Sequence, residues 1–347
     1  MTRTVEVDAT AQAPAVPEVR PAFVEPSFDA QANIGDIGDY SGFTSAGLER
    51  WFDEVPEIQD IRVISTVDGD DQSTLWLPPD ADGPRPLIVI LHSWSSRYDQ
   101  HAGIPYAMWA DENGWAAIAP NFRGMNDDAN ATGSDLAVQD VVDAIRFATQ
   151  HEGVDASRVY AVGYSAGGMM SLLLAGRHPE LVTAVAAWGT PADLAEFSRH
   201  SAASSRGYEI EIATACGGDP ATSTDAAQEC MLRSAVNYLA AETDVAVYLG
   251  HGLGDVLVQP SQTANAFNLL ADPADRFDAE QIEALAVNRV PDGFQTDDSV
   301  ETFLSNQEPA AAVARQSGST TVVFFEGGHE MIYRASARFF ASDPGRG

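Results

Sequence analysis

Lysine is absent from the 347-residue sequence, and cysteine occurs only twice. All 19 basic residues are therefore arginines, set against 51 Asp and Glu, and the formal net charge is -32. A surface of this charge repels nucleic acids and anionic membranes, so we expect neither as a partner. Two explanations fit the acidity, adaptation to a salty medium that screens the repulsion and a coding bias that replaces lysine by arginine, and the sequence favours neither.

Long apolar runs are also absent. No segment approaches the roughly 18 uninterrupted apolar residues that a membrane-spanning helix needs. The N-terminal residues lack the apolar stretch of a signal peptide, so we expect a cytoplasmic protein. In a reducing cytoplasm Cys216 and Cys230 are expected as free thiols, although a bridge would close a loop of about 15 residues. Neither has His or further Cys at metal spacing, so we predict no metal and no cofactor.

The length is compatible with one large α/β domain. Residues 1–30 are rich in Pro, Ala, Val and Glu without helical or strand periodicity, and are predicted to be a poorly ordered or surface-draped arm. The rest of the chain, 31–347, is assigned to a single domain. Two long gaps between its elements, 189–243 and 271–319, are predicted as insertions, the first of them a lid. We expect a monomer or a homodimer.

Short apolar runs alternate with helical patterns along this domain. The rhythm is typical of a mostly parallel sheet with helices on both faces, in which the buried strands are apolar throughout. Two antiparallel strands are predicted to open the sheet around a turn at 68–71. The predicted strands are 61–67, 73–78, 87–91, 116–120, 158–162, 182–188, 245–249 and 321–325.

The sequence Gly163-Tyr164-Ser165-Ala166-Gly167 lies between a predicted strand and a predicted helix. A G-x-S-x-G pattern in this position forms a tight turn that exposes a serine in a strained conformation, and the two glycines leave room for the backbone. The bare pattern arises by chance fairly often, so it is the placement that indicates a catalytic serine. We therefore predict Ser165 as a nucleophile.

A serine hydroxyl needs a base within hydrogen-bond reach, and the chain order after such a turn is serine, acid, histidine. His329 follows the last predicted strand in a Gly-Gly-His loop and is predicted as the base. His251 is the alternative, although we expect it to shape its own loop. Asp255, after the strand that ends at 249, is predicted as the acid that orients the imidazole, and Asp193 after the preceding strand is its rival.

A tetrahedral oxyanion requires two preorganised N–H donors. One is expected from the backbone of Ala166 and the other from Trp94, in the His-Ser-Trp-Ser loop after the first buried strand. Trp94, Tyr164 and His92 are predicted to contact the substrate. Arg123, after the second buried strand, fits either a site for a substrate carboxylate or a structural ion pair.

Together these features resemble the prolyl-oligopeptidase-type branch of the α/β-hydrolases, which has relatives among dienelactone-hydrolase-like and acyl esterases. The resemblance implies the α/β-hydrolase fold, a lid inserted before the strand that bears the acid, and Ser165, Asp255 and His329 as a triad. It covers about 85–340, through Ala-Pro-Asn-Phe-Arg-Gly at 119–124, Gly-Tyr-Ser-Ala-Gly-Gly at 163–168, His-Gly-Leu-Gly-Asp at 251–255 and Gly-Gly-His at 327–329.

Departures from that branch favour an esterase over a peptidase. Peptide-cleaving members usually carry a large N-terminal domain, whereas the resemblance here begins near residue 85, and the loop at 92–95 lacks the family's Tyr-Gly-Gly or His-Gly-Gly pattern. We therefore expect a carboxylic ester hydrolase that acts on a small-molecule ester through an acyl-enzyme on Ser165. The alternatives are a small peptidase or amidase and a non-catalytic binding protein on the same scaffold.

Overall fold

The computed structural model describes residues 45–80, 83–292, 294, 296, 299–305 and 309–345, so the arm predicted for 1–30 lies outside the described residues. The strands are β1 Gln59–Ile64, β2 Asp71–Leu77, β3 Arg85–Leu91, β4 Ala116–Pro120, β5 Val154–Tyr164, β6 Ala184–Trp188, β7 Ala246–Gly252, β8 Ala311–Ser317 and β9 Thr320–Phe325. The helices are α1 Leu48–Glu54, α2 Ile104–Glu112, α3 Asp135–Thr149, α4 Ala166–Arg177, α5 Leu194–Ser204, α6 Tyr208–Cys216, α7 Thr224–Arg233, α8 Pro260–Leu270, α9 Ala279–Ala286 and α10 Tyr333–Ala341.

These strands belong to one sheet, in the order β1-β2-β4-β3-β5-β6-β7-β9-β8. The six strands from β4 to β9 in this order run parallel to one another. At the edges β1, β2 and β8 pair antiparallel with their neighbours. A mostly parallel sheet that alternates with helices confirms the predicted fold class.

Two apolar cores lie on opposite faces of the sheet. In β3, Leu87 and Val89 pack into the core beneath α3, α4 and α8. Ile88 and Ile90 point the other way, into the core that contains α1, α2 and α10. Side chains alternate between the faces of a strand, so a strand covered on both faces has to be apolar throughout. This is why the parallel strands were recognisable as uninterrupted apolar runs.

Two edge strands differ from the prediction. β1 ends at Ile64 instead of residue 67, because the backbone N–H of Thr66 donates to the Asp143 carboxylate over 2.7 Å and the chain turns there. β8 lies inside the stretch 271–319 that was predicted as an insertion. Its sequence, Ala-Ala-Val-Ala-Arg-Gln-Ser, lacks an apolar run because an edge strand needs only partial burial. No strand was therefore predicted there.

Arg123 forms a structural ion-pair cluster. Its Nε lies 2.6 Å from Asp140 Oδ2 and its Nη1 lies 2.8 Å from Asp68 Oδ2, with only 8% of the side chain exposed. Its remaining nitrogen, Nη2, donates to Ser65, Asp68 and Asp140. With all three guanidinium nitrogens engaged, the structure supports the ion pair over a site for a substrate carboxylate.

The stretch between β6 and β7, predicted as a lid, contains α5, α6 and α7. Cys216 at the end of α6 is disulfide-bonded to Cys230 in α7, so the expectation of free thiols was wrong. The packing of α6 against α7 brings the two Cα atoms to 5.3 Å, within the range that a disulfide spans. Among the described helices, none is both long and apolar enough to cross a bilayer.

We expect the disulfide to stabilise the inserted helices. Closing a loop of this length restricts the unfolded chain, so replacing both cysteines by alanine should lower the free energy of unfolding by about 3 kcal/mol. Denaturant unfolding of the wild type with and without reductant measures the effect, and the double-alanine variant serves as the control that reductant must leave unchanged. An unfolding midpoint of the wild type that ignores reductant would contradict the expectation.

Candidate active site

Ser165 occupies a strained turn between β5 and α4. Its φ is 55° and its ψ is −125°, a backbone conformation that residues other than glycine rarely adopt. The backbone N–H of Ser165 donates to the carbonyl of Trp188 at the end of β6 over 2.8 Å, which ties the turn to the neighbouring strand. The serine side chain is thus held at the carboxyl edge of the sheet, as expected for a nucleophile on such a turn.

Close backbone approach explains the glycines of this turn. A Cβ on Gly163 would collide with the backbone of Gly167, and a Cβ on Gly167 would collide with the carbonyl oxygen of Leu91 in β3. The turn therefore packs directly against the end of the neighbouring strand. The glycine spacing of the motif is a steric requirement of this contact.

A short hydrogen bond joins the loops that follow β7 and β9. Nδ1 of His329 lies 2.6 Å from Oδ2 of Asp255, whose other oxygen accepts the backbone N–H groups of Leu257 and Val258. Burial alone would raise the pKa of Asp255, but the imidazoles of His329 and His251 outweigh it and hold the pKa well below its ordinary range. Asp255 is therefore a buried anion that orients His329.

The three predicted residues converge at one edge of the sheet. Gly189 directly follows Trp188, and it approaches both His329 and Asp255. A Cβ on Gly189 would lie 3.2 Å from Nδ1 of His329 and 3.5 Å from Oδ2 of Asp255. The ring of His329 is 5.7 Å from that of Tyr164, the residue before the serine. Ser165 and His329 thus lie on the turn after β5 and in the loop after β9, at the same edge of the sheet.

The two rival residues have other contacts. Asp193 caps α5, where its Oδ1 accepts the N–H groups of Ala195 and Glu196 over 2.9 and 3.0 Å. His251 is completely buried, with Nε2 3.0 Å from Asp255 Oδ2. Asp193 is thus engaged at the start of α5, and the contact between His251 and Asp255 was not anticipated.

The two backbone N–H groups predicted as oxyanion donors lie at the start of α4 and in the turn after β3. Ala166 is the first residue of α4, where N–H groups have no partner within the helix, and Trp94 lies in the turn after β3. Neither N–H donates a hydrogen bond within the part of the chain that the structure covers. Both are the donors that the sequence analysis predicted for an oxyanion.

The side chain of Trp94 connects its loop to the inserted helices. Its indole N–H donates to Glu211 Oε2 of α6 over 2.5 Å, and its ring packs edge-on against Phe197 of α5 and Tyr208 of α6. Partial burial raises the pKa of Glu211, while the hydrogen bond from Trp94 lowers it. Sequence reasoning missed Glu211, because nothing local distinguishes it among 51 acidic residues.

His92, the first residue of the loop that carries Trp94, and Tyr164 are both buried. The ring nitrogens of His92 lie 3.0 Å from the carbonyl oxygen of Ser93 and 2.8 Å from that of Asn121, and the ring stacks on Phe122. Burial raises the pKa of the Tyr164 phenol, which is 1% exposed. These contacts support the loop, and a direct contact with substrate stays a prediction for both residues. In the described ranges, no three His, Cys, Asp or Glu side chains are grouped as metal ligands.

Residues 86–223 match the protein family described as "alpha/beta hydrolase fold". The matched segment runs from β3 through the strained serine turn into the inserted helices. The chain has the α/β-hydrolase fold. Its strand order, its serine turn after β5 and its histidine after the last parallel strand all belong to this fold.

Solved structures share this α/β-hydrolase fold at low sequence identity. An acylaminoacyl peptidase from Pyrococcus horikoshii superposes with a TM-score of 0.53 at 16% identity, covering 82% of this chain and 40% of that one. Prolyl oligopeptidase B from Galerina marginata gives a TM-score of 0.55 at 15% identity, covering 83% of this chain and 36% of that one. At such identities the likeness establishes the fold alone.

Curated proteins similar to this chain include two esterases. Feruloyl esterase B of Thermothelomyces thermophilus is 31% identical over 125 residues, which are 34% of this chain and 43% of the relative. Acetylxylan esterase A of Emericella nidulans is 29% identical over 123 residues, 32% of this chain and 40% of the relative. The match therefore spans less than half the length of either relative.

We expect Glu211 to support activity through Trp94. Glu211→Ala leaves the buried indole N–H without its acceptor, a loss equivalent to roughly one hydrogen bond, and should lower kcat/KM about ten-fold. Glu211→Gln keeps an acceptor oxygen and should retain most of the activity. Ester hydrolysis and tryptophan fluorescence of the two variants measure the difference. Equal activity of both variants and the wild type would show that the contact is dispensable.

Proposed function

We propose that this chain is a carboxylic ester hydrolase that forms an acyl-enzyme on Ser165. The observation that carries the proposal is the placement of the strained serine turn at the sheet edge where His329 is hydrogen-bonded to a buried Asp255 carboxylate. The similarity to two esterases supports an ester as the small-molecule substrate.

Acylation begins with proton transfer from Ser165 to His329. Nε2 of His329 accepts the proton of the serine hydroxyl as Oγ attacks the ester carbonyl carbon, and a tetrahedral oxyanion forms. When the intermediate collapses, the bond to the alcohol oxygen breaks and His329 returns the proton to the departing alcohol.

Deacylation repeats the cycle with water as the nucleophile. His329 accepts a proton from water, the hydroxide attacks the acyl carbon, and the bond to Ser165 Oγ breaks as the proton returns to the serine. In both steps Asp255 stays ionised, holds the proton of the imidazole on Nδ1 and stabilises the imidazolium. Its low pKa supports this role, because an acid that took the proton could not stabilise the cation.

The N–H groups of Ala166 and Trp94 are proposed to hold the oxyanion. Fixed donors stabilise the negative charge that develops on the carbonyl oxygen and cost no reorganisation during the reaction. The inserted helices over residues 189–243 are proposed as a lid, since Trp94 contacts three of their side chains. One wall of the acyl site would then come from the sheet and the other from the lid.

A peptidase or amidase remains the second candidate. A relative described as a dipeptidyl aminopeptidase BIII from Pseudoxanthomonas mexicana is 29% identical over 99 residues, although these are only 14% of its length. An amide has the poorer leaving group, so it depends more strongly on protonation by the histidine. The same triad serves both reactions, and substrate tests have to separate them.

We expect Ser165→Ala to abolish both labelling by a fluorophosphonate probe and hydrolysis of p-nitrophenyl acetate. The probe reacts with an activated serine, so the wild type should be labelled at Ser165 alone. A wild type that resists the probe, or a variant labelled equally, would favour a binding protein on the hydrolase scaffold. Release from aminoacyl p-nitroanilides without ester cleavage would favour the peptidase.

The two candidate acids can be separated by matched substitutions. Asp255→Asn should lower kcat on the order of 10³- to 10⁴-fold, because the amide cannot stabilise the imidazolium or hold the required tautomer. Asp193→Asn keeps a side-chain oxygen to cap α5 and should leave kcat close to that of the wild type. Initial rates on one ester substrate compare them. A larger loss in the Asp193 variant would reverse the assignment.

The disulfide also bears on where the protein works. Bridges such as Cys216–Cys230 form and persist mainly in oxidising compartments. We therefore propose an oxidising environment in place of the cytoplasm expected from the N-terminal sequence. Thiol labelling of unfolded protein from cell fractions, before and after reduction, tests this: thiols that react without reduction would support the cytoplasm.

A further inference from the structure

The Asp255 carboxylate contacts two imidazole rings. Its Oδ2 lies 2.6 Å from Nδ1 of His329 and 3.0 Å from Nε2 of His251. The side chains of Asp255 and His251 are both fully buried, so water does not compete for these contacts. One carboxylate oxygen therefore serves the proposed base and a second histidine at the same time.

The surroundings of His251 favour one form of its ring. Nδ1 lies 2.7 Å from the hydroxyl oxygen of Thr263 in α8, and Nε2 is also 3.1 Å from the carbonyl oxygen of Val258. A neutral ring with its proton on Nε2 fits these contacts, because Nδ1 accepts the Thr263 hydroxyl while the single Nε2–H faces the Val258 carbonyl and lies within reach of Asp255 Oδ2. In this form the Nε2–H is shared between the Val258 carbonyl and the Asp255 carboxylate.

We propose that His251 is a positioning residue: it shares the Asp255 carboxylate with His329 and so limits how strongly that carboxylate holds the proton on His329. The inference rests on the proposed triad. A second donor to Oδ2 stabilises part of the negative charge, which leaves less of it for the bond to His329. Without that donor His329 becomes a stronger base that stays protonated to higher pH.

Other polar groups face this site from the packed elements. Tyr208 of α6 interacts electrostatically with Asp255. Glu330 follows His329 in the same loop, and its carboxylate accepts the N–H of Gly328. The Leu257 and Val258 N–H groups donate to Asp255 Oδ1. A substitution confined to residue 251 leaves these groups in place, so a change in pH dependence reports the contact with Asp255.

Two amide substitutions separate this contact from simple packing. The side chain of His251→Gln is long enough to place an N–H near the Nε2 position and keep the bond to Asp255. His251→Asn reaches only the Nδ1 position and keeps the Thr263 contact instead. Both place an amide in the same buried space, and they differ by one methylene group and by whether the amide keeps the contact with Asp255 or the contact with Thr263.

The rate at which a fluorophosphonate probe labels Ser165, measured against pH, is the readout. Labelling needs neutral His329, so its acidic limb follows the pKa of that residue. For His251→Asn we expect the midpoint of this limb to rise by about 0.5 to 1 pH unit, while His251→Gln stays near the wild type. Equal midpoints in all three proteins, or equal shifts in both variants, would overturn the proposal.

A measurement on the wild type covers the case in which neither variant folds. Nitrogen NMR shifts of His251 at neutral pH should report a proton on Nε2 and none on Nδ1. A proton on Nδ1 would overturn the proposal, because Nε2 would then either not donate to Asp255 or belong to a cation.

A parallel labelling of Ser165→Ala distinguishes this inference from the proposed function. If that variant is labelled like the wild type, the proposed function fails and the inference fails with it. If it is unlabelled while His251→Asn keeps the wild-type midpoint, only the role of His251 is wrong.

Discussion

The buried carboxylate of Asp255 is the constraint on which the geometry of the site depends. A buried charge is costly unless several donors surround it, and here two backbone N–H groups and two imidazoles do so. These donors come from the loop after β7, the end of β7 itself and the loop after β9. Satisfying one anion therefore fixes two adjacent strand ends and the ring of His329 relative to each other.

The turn that carries the predicted nucleophile, Ser165, depends on a different constraint, the close approach of backbones. Gly163 packs against Gly167, and Gly167 packs against the end of β3, so a Cβ at either position would collide with backbone. The backbone energy stored in the serine conformation is offset by the parallel sheet and α4 on either side. The buried Asp255 carboxylate and the tight turn at Ser165 thus lie at the same carboxyl edge of the sheet, where the strands of such a fold carry their functional loops.

The inserted helices add a third element to this edge. Trp94 joins the loop after β3 to α6 through Glu211, and the disulfide joins α6 to α7. Helices distant in sequence from the serine therefore contact the loop proposed to hold the oxyanion. One indole ring therefore links the proposed lid to the proposed oxyanion donors.

The sequence by itself determined the α/β class, most of the parallel strands and the serine turn, because apolar runs and glycine spacing are local signals of burial and steric fit. Its preference for His329 over His251 and for Asp255 over Asp193 followed from chain order, and both choices stay predictions. Only the tertiary structure decided that Glu211 is the acidic side chain that contacts Trp94 and that the two cysteines form a disulfide. It also decided that Arg123 forms ion pairs with Asp68 and Asp140, and that His251 contacts the carboxylate of Asp255. Each of these pairs residues from separate elements, and no local pattern encodes which partners packing brings together.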